Sequence, residues 1–507
     1  MTKRSLLAVA IATISIQSVQ AAPFLPMDAR GLAMGNTGVA SAQRAHAPAY
    51  NPSLLSQASE DDDFALLFPQ VGVSFADEEE MIDEAELLSD EIIPRFEDTL
   101  DGATGLETAL SDFTNNPSVQ NRNNLQASLA NVEQSITELD DSLKNISGSP
   151  LSAKVGLNFA LAIPSKKFSA ALSAGGSASI SGRIAYSPAD SALFTSYVPE
   201  VQGLLDFVDD VDAAVNSGGT IPLPAVPTSD IIDYSGFDDT NATTAANTVG
   251  TIGLSDAASN PDLNSSVQVV AVAIADIGLS FAREFDFAGE KVAIGLTPKL
   301  QKITTYHYAD EVDGFDEVDE DTLKDSKEDY SKVNLDIGAS YRFGSDGNWM
   351  VGLVGKNLLG GDFDYKDVLV QPKDSDGNPA TEADGVTPKS AYTIKGGSVS
   401  LNPQFRAGIA YNSEWFNIAA DVDLKENDPV AFENPTQYAA IGAELDVFST
   451  LQLRLGYRTN LSVGNSDMAS VGLGFSPFGL HIDIAAMANP SDPEKEAGVA
   501  LETGFYF

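Results

Sequence analysis

Fourteen stretches of the chain read as β-strands, and the segments that join them follow a parity rule. The stretches lie near 63–75, 151–163, 167–185, 266–286, 289–306, 331–343, 348–358, 399–412, 415–425, 436–448, 450–463, 467–476, 479–488 and 496–507. Every connection after an even-numbered stretch is short, such as Ser165-Lys166, Asn412-Ser413-Glu414 and Ser449. Five of the seven after odd-numbered stretches are longer: 76–150, 186–265, 307–330, 359–398 and 426–435. A soluble β-sandwich gives no reason for such parity. A transmembrane barrel does, because an even number of antiparallel strands puts tight turns on one side and long loops on the other.

The faces of the strands agree. Successive side chains of a strand point to opposite sides. In Ser331–Phe343, Val333, Leu335, Ile337, Ala339, Tyr341 and Phe343 oppose Lys332, Asn334, Asp336, Gly338, Ser340 and Arg342. In Leu451–Arg458, Leu451, Leu453, Leu455 and Tyr457 oppose Gln452, Arg454, Gly456 and Arg458. A sandwich would turn such a polar face to bulk water, where Lys and Glu dominate. Here Arg, Asp, Asn, Gln and Gly are mixed, which suits a lumen where charges pair with one another or with a plug. The last stretch, Glu496 to Phe507, sets Ala497, Val499, Leu501, Phe505 and Phe507 on one parity and stops on an aromatic residue. Phe505 and Phe507 are the expected assembly signal of an outer-membrane strand. The expected fold is therefore an all-β transmembrane barrel of about 14 antiparallel strands, with an N-terminal hatch and α-helical extracellular insertions.

The expected address is the outer membrane of a Gram-negative bacterium. Lys3 and Arg4, the apolar run Leu6–Ile16 and the small-residue site Val19-Gln20-Ala21 read as a signal peptide over residues 1–21. No later run is apolar enough for a transmembrane helix. Cys is absent, which removes disulfides, thiol nucleophiles and Cys-ligated metals together. Acids outnumber bases 73 to 29, so nucleic-acid binding through a basic patch is excluded.

Residues 22–60 are rich in Gly, Ala and turn residues with no clean period, and are read as a hatch inside the barrel. Asp28, Arg30, Asn36 or Asn51 is expected to contact the inward Arg342, Arg406, Arg454 or Arg458, since buried arginines are costly unless paired or wet. The barrel, 61–507, carries four insertions. Within 77–146, Leu125, Leu129, Val132, Ile136, Leu139 and Leu143 form a heptad seam, so a helical hairpin is expected. The segment 186–265 reads as helix and loop, with Leu193, Phe194, Val198, Val201, Leu204, Leu205 and Val208 as the apolar partner of that seam. Residues 307–330 read as an acidic loop and 359–398 as a loop. Gly175 and Gly176 interrupt the third strand, either as a kink that opens the wall laterally or as a point of tight packing.

Reactive chemistry is sparse. The histidines are His46, His307 and His481, and there is no Gly-x-Ser-x-Gly, His-Glu-x-x-His or P-loop. His481 and Asp483 share one face of a strand and are read as a lumenal polar pair. Asp310 to Asp329 carries eleven acids without EF-hand spacing and is read as solvated; Asp374 to Asn378 is read as a turn. No catalytic residue, cofactor or metal site is expected, and the chain is not read as an enzyme.

ARGLAMGNTGVASAQRAHAPAYNPSLL, at Ala29 to Leu55, resembles the N-terminal hatch of the FadL and PorV-like outer-membrane transporters. DFALLFPQVGVSFADEEEMIDEAE at Asp63 to Glu86, KNLLGGDFD at Lys356 to Asp364, and the ending GVALETGFYF are similar to the TraF-type conjugal transfer proteins of the barrel kind. That resemblance implies a structural or contact component of plasmid transfer or pilus assembly. The FadL-like alternative is a passive transporter of small hydrophobic compounds. The implied partners are outer-membrane lipid, the barrel assembly machinery, and either conjugation or secretion components or a small apolar ligand. With the first strand running outward, both termini are expected in the periplasm.

Overall fold

In the computed structural model the described residues are 26–57, 64–165, 167–218, 220–255, 258, 264–287, 289–312, 324–373, 378–381, 386–448, 450–464 and 466–506. The expected signal peptide, Phe507 and the turn residues 374–377 lie outside them.

Fourteen strands close into one antiparallel barrel, each paired with its sequence neighbours and the last with the first. They are β1 (Ala65–Ala76), β2 (Leu151–Ile163), β3 (Ser169–Ala185), β4 (Ser266–Phe287) and β5 (Glu290–Glu311). Then come β6 (Lys327–Phe343), β7 (Trp349–Lys356), β8 (Gln404–Asn412), β9 (Phe416–Asp423) and β10 (Tyr438–Val447). β11 (Leu451–Asn460), β12 (Asp467–Phe475), β13 (Leu480–Ala488) and β14 (Glu496–Tyr506) complete the ring. The apolar parity faces out. Leu157, Ile277, Leu300, Leu353, Leu455 and Val499 are 48% to 63% exposed, a band that only lipid would cover without penalty. Aromatic residues gather at the short-turn rim: Tyr341, Phe343, Trp349 and Tyr411 touch in sequence with ring centroids 5.2–6.1 Å apart. Such a girdle marks the membrane interface. The chain is thus an outer-membrane barrel.

Strands β4 and β5 are 22 residues long, about twice what a bilayer needs, so they stand proud of the long-loop rim. This corrects the acidic loop 307–330. β5 continues to Glu311 and β6 begins at Lys327, paired as Tyr306↔Lys327, and 313–323 lie outside the described residues. Beyond the bilayer a strand edge meets water, so charge there does not end a strand.

The insertion 77–146 is richer than a two-helix hairpin. α3 (Met81–Leu87), α4 (Ile93–Asp101) and α5 (Leu106–Asn115) pack on one long helix, α6 (Val119–Ile146). Ser118 caps α6 by accepting the Asn121 N–H. The insertion 186–265 contributes α7 (Pro188–Asn216) and α8 (Ala242–Thr248). Leu125, Leu129, Val132, Ile136 and Leu139 of α6 share one buried core with Phe194, Val201, Leu204, Leu205 and Val208 of α7. The loop 359–398 is also ordered into two short antiparallel ladders, 362–364 with 398–400 and 368–370 with 392–394. Phe363, Val399 and Leu401 from this ribbon plug the mouth against Val270, Val272 and Ile303.

Candidate functional site

The hatch fills the lumen, and its residues explain how. Asp28 caps the short helix α1 (Ala29–Ala33) by accepting the Gly31 N–H at 2.6 Å, and accepts the Tyr50 hydroxyl at 2.6 Å. The Tyr50 side chain lies against Gly31 and Gly38, where a Cβ would come within 1.6 Å of its hydroxyl and 2.1 Å of its ring. Gly35 turns in the left-handed region, φ +67°, where a Cβ would stand 2.8 Å from the Tyr457 carbonyl oxygen. Asn51, which ends the short helix α2 (Ala47–Tyr50), donates to the Val39 carbonyl at 2.9 Å and to the Ala339 carbonyl of β6 at 3.2 Å, pinning the Asn51-Pro52 turn to the wall.

The wall answers with glycine. Four cross-strand glycine pairs line the lumen at hatch level: Gly72↔Gly156, Gly295↔Gly338, Gly352↔Gly408 and Gly442↔Gly456. A Cβ at Gly352 would lie 2.2 Å from the Val39 carbonyl, and one at Gly456 would lie 2.1 Å from the Gly35 nitrogen. The hatch backbone can approach only because these side chains are missing.

On the β10–β14 side, charges lock the hatch in place. Arg30 forms a double bond-pair to Glu444, which also accepts from Arg454 at 2.6 Å; Arg454 in turn reaches Asp483. Arg406 pairs with Asp423 at 2.6 Å and reaches the Asn36 carbonyl at 3.5 Å. Arg458 donates to the Asn36 side chain at 2.8 Å and to Glu496 at 3.0 Å, and stacks on Tyr438. Of the eight residues named from sequence as hatch–lumen contacts, Asn36 meets two wall arginines. Arg30 meets a wall acid instead. Asp28 turns to its own hatch, and Arg342 donates to Gln57. The acids Glu444, Asp423 and Glu496 were not named from sequence as partners of the arginines, and Asp483 was paired with His481 instead; their inward parity was the available signal.

Asp28, His46 and Glu502 bring one ligand-type atom each within 4.8 Å of the others, all buried. Each already has partners: His46 Nε2 lies 2.8 Å from Glu502, whose other oxygen accepts from Gln70 at 3.1 Å. The trio is an internal ion cluster. Burial opposes charge on His46, but Glu502 and Asp28 outweigh it and hold its pKa above the ordinary value. His481 lies on the Tyr506 ring, centroids 4.3 Å apart, while Asp483 serves Arg454, so the expected His481–Asp483 pair is divided between two partners.

The glycine pair in β3 does not open the wall. β3 pairs without a break with β2 and β4 through Gly175 and Gly176. The register shifts instead in β1, between Leu67 and Gln70, where Pro69 has no N–H to give to β2 or β14. Gly175 and Gly176 border a lumenal cavity of about 160 Å³ whose lining includes Asp276, Lys299, Asp336 and Lys356. Phe505 faces outward at the short-turn rim, 42% exposed.

The long-loop rim carries the helical domain built by 77–146 and 186–265. Asp190 ties its ends together, accepting from the Asn264 N–H at 2.8 Å and the Ser265 N–H at 2.7 Å. Asp140 of α6 accepts from the Tyr186 hydroxyl at 3.0 Å and from Ser191 at 2.6 Å. Burial opposes its charge, but these bonds and Lys144 hold its carboxyl below the usual range. The two insertions hold 30 of the chain's 73 acids and 3 of its 29 bases, a net −27 out of −44. The domain is a packed body with a strongly acidic surface.

Residues 48–423 match the family described as "F plasmid transfer operon, TraF, protein". No curated protein matches the chain. Among solved structures, the toluene transporter TodX of P. putida is 10% identical, covering 96% of this chain and 99% of that one, with a TM-score of 0.44. The Ralstonia pickettii toluene transporter TbuX is 9% identical over 96% and 99%, with a TM-score of 0.44. The CymD monoaromatic hydrocarbon channel is 9% identical over 96% and 98%, with a TM-score of 0.43. The barrel assignment rests on the strand pairing itself.

Proposed function

The chain belongs to the family described as "F plasmid transfer operon, TraF, protein", and from that premise we propose that it is a structural or contact component of a plasmid-transfer or pilus-assembly apparatus. In this reading the barrel anchors in the outer membrane, both termini face the periplasm, and the helical domain faces outward. The observation that carries it is the pairing of a filled lumen with an ordered body on the long-loop rim. The hatch is locked by glycine contacts and buried ion pairs, and a separate apolar core organises α6 and α7 above it. A hatch is shared with the transporters that the sequence resembles, so the ordered body on the long-loop rim is what favours contact over passage.

The alternative, passive transport of a small hydrophobic compound, calls for an apolar pocket between hatch and wall. One cavity there has Lys299, Lys356, Asp276 and Asp336 in its lining, and a second has Arg30, Arg44, Arg342, Glu414 and Glu444. An apolar ligand in either would strip water from charged groups without replacing its hydrogen bonds, which costs several kcal/mol. The acidic surface of the helical domain would repel a nucleic-acid backbone, so contact with a protein surface suits it better.

Deleting the gene from a donor that carries its transfer plasmid should lower mating frequency. A barrel lacking the helical domain, still heat-modifiable on a denaturing gel, should not restore it. Unchanged mating, together with lost uptake of toluene by the deletion strain, would replace this reading with the transporter.

A further inference from the structure

Of the four Asn-x-Ser/Thr triplets whose middle residue is not proline, two have an acid two residues before the asparagine. They are Asp239-Thr240-Asn241-Ala242-Thr243 and Asp262-Leu263-Asn264-Ser265-Ser266. In the other two, at Asn145 and Asn460, that place is taken by Leu143 and Arg458. The triplet is the acceptor pattern of N-linked glycosylation. Bacterial oligosaccharyltransferases of the periplasm also require the acid, which a basic side chain of the enzyme holds. An outer-membrane barrel crosses the periplasm before it is assembled, so both sequences pass within reach of such an enzyme.

The fold treats the two asparagines differently. Asn241 lies in an irregular stretch just before α8, and Asp239, Thr240, Asn241 and Thr243 are all exposed. The Asn241 side-chain oxygen accepts from the N–H groups of Thr243 and Thr244, each at 3.0 Å. Among the described residues, none accepts from its Nδ2 or from the Thr243 hydroxyl. A sugar carried on Nδ2 leaves Oδ1 an acceptor, so both bonds survive the modification. Asn264 is the opposite case. Its Nδ2 and its backbone N–H both donate to Asp190, at 3.2 and 2.8 Å, and Ser265 and Ser266 are buried. A glycan there would break the clamp that ties the ends of the helical domain together.

We propose that Asn241 is the acceptor of an N-linked glycan, transferred in the periplasm from an oligosaccharide on a lipid diphosphate. Nδ2 of Asn241 attacks the anomeric carbon of the first sugar. The new C–N bond forms as the bond from that carbon to the diphosphate oxygen breaks. The lipid diphosphate leaves with the electron pair, and one amide proton passes to a base of the transferase. Asp239 supplies the charge that the enzyme holds, and Thr243 supplies the hydroxyl that it reads. The site is independent of the transfer role, since it needs only passage through the periplasm and an exposed acceptor.

Mass spectrometry of the full-length protein, taken from the outer membrane of its own host and cut before aspartate, tests it. The peptide that begins at Asp239 should carry one oligosaccharide, and the peptide that begins at Asp262 should carry none. Asn241→Gln and Thr243→Ala should abolish the addition, and Thr243→Ser should keep it. Asp239→Asn should lower the glycosylated fraction about tenfold or more, the loss expected for one charge-assisted contact. Heat-modifiable mobility on a gel confirms that each variant is assembled; if one is not, the wild-type peptides decide alone. A bare Asn241 peptide, a glycan on the Asn264 peptide in its place, or an addition that survives Thr243→Ala would overturn the assignment.

Discussion

Arg30 of the hatch and Glu444 of β10 lie 414 residues apart in the chain and meet through two parallel N–H···O bonds of 3.0 Å. Both are almost wholly buried, and the pair joins plug to wall. Arg454 also donates to Glu444, so the two substitutions are not equivalent. Arg30→Ala leaves Glu444 one cation and should destabilise the protein by about 1–3 kcal/mol. Glu444→Ala leaves Arg30 without its carboxylate and takes one of two from Arg454, and should cost about 3–5 kcal/mol. Urea unfolding in detergent, followed by loss of heat-modifiable mobility, measures both. Equal effects would mean that the pair is not what holds the hatch.

The glycine belt makes a steric prediction. Gly352→Val and Gly456→Val place side chains where the hatch backbone already lies, and should expel the hatch or block assembly at a cost of at least about 1–3 kcal/mol. Gly464→Ala, where a Cβ would meet nothing within 4 Å, should leave assembly unchanged. Protease sensitivity of the hatch in the purified barrel separates the outcomes.

His46 gives the hatch a pH dependence of defined sign. Its pKa is raised in the folded protein because Glu502 and Asp28 outweigh its burial, with Tyr506 3.4 Å from Nδ1 and Arg30 opposing. A raised folded pKa contributes stability that is fully present below the ordinary value near 6.5 and is lost as pH rises through the folded value. The thermal midpoint should therefore fall as pH rises above about 6.5, and His46→Gln should flatten that fall. A wild-type midpoint that rises over this range would contradict the assignment.

The helical domain should fail separately from the barrel. Leu204 of α7 is fully buried in the core shared with α6, and Leu204→Ala should cost that domain about 2–5 kcal/mol. Limited proteolysis of outer-membrane vesicles should then cut within 77–146 or 186–265 while the barrel keeps its heat-modifiable mobility. Simultaneous loss of both would show one cooperative unit.

Much of this was legible in the sequence, for reasons that particular residues show. The alternation from Val333 to Phe343 against Lys332 to Arg342 needs only the two-residue period of a strand, and it located β6. The seam Leu125–Leu143 needs only the helical period, and it located α6. What lay hidden depends on register around the ring. Arg454 was visibly inward, but its place beside Glu444 and Asp483 follows from the pairing of β10, β11 and β12 with β13. Gly338 and Gly456 were visibly on the polar face, but only the path of the hatch explains why they carry no side chain. β5 and β6 outran their expected ends because acidic residues signal a loop in sequence, whereas above a membrane they are compatible with strand.

The central claim is that the helical domain faces outward above a plugged barrel, and surface labelling tests it directly. Epitope tags placed at Asn115, at the end of α5, and at Ser255 should be reached by antibody on intact cells. If both tags become accessible only after the outer membrane is permeabilised, the orientation is inverted and the contact role of the domain falls with it.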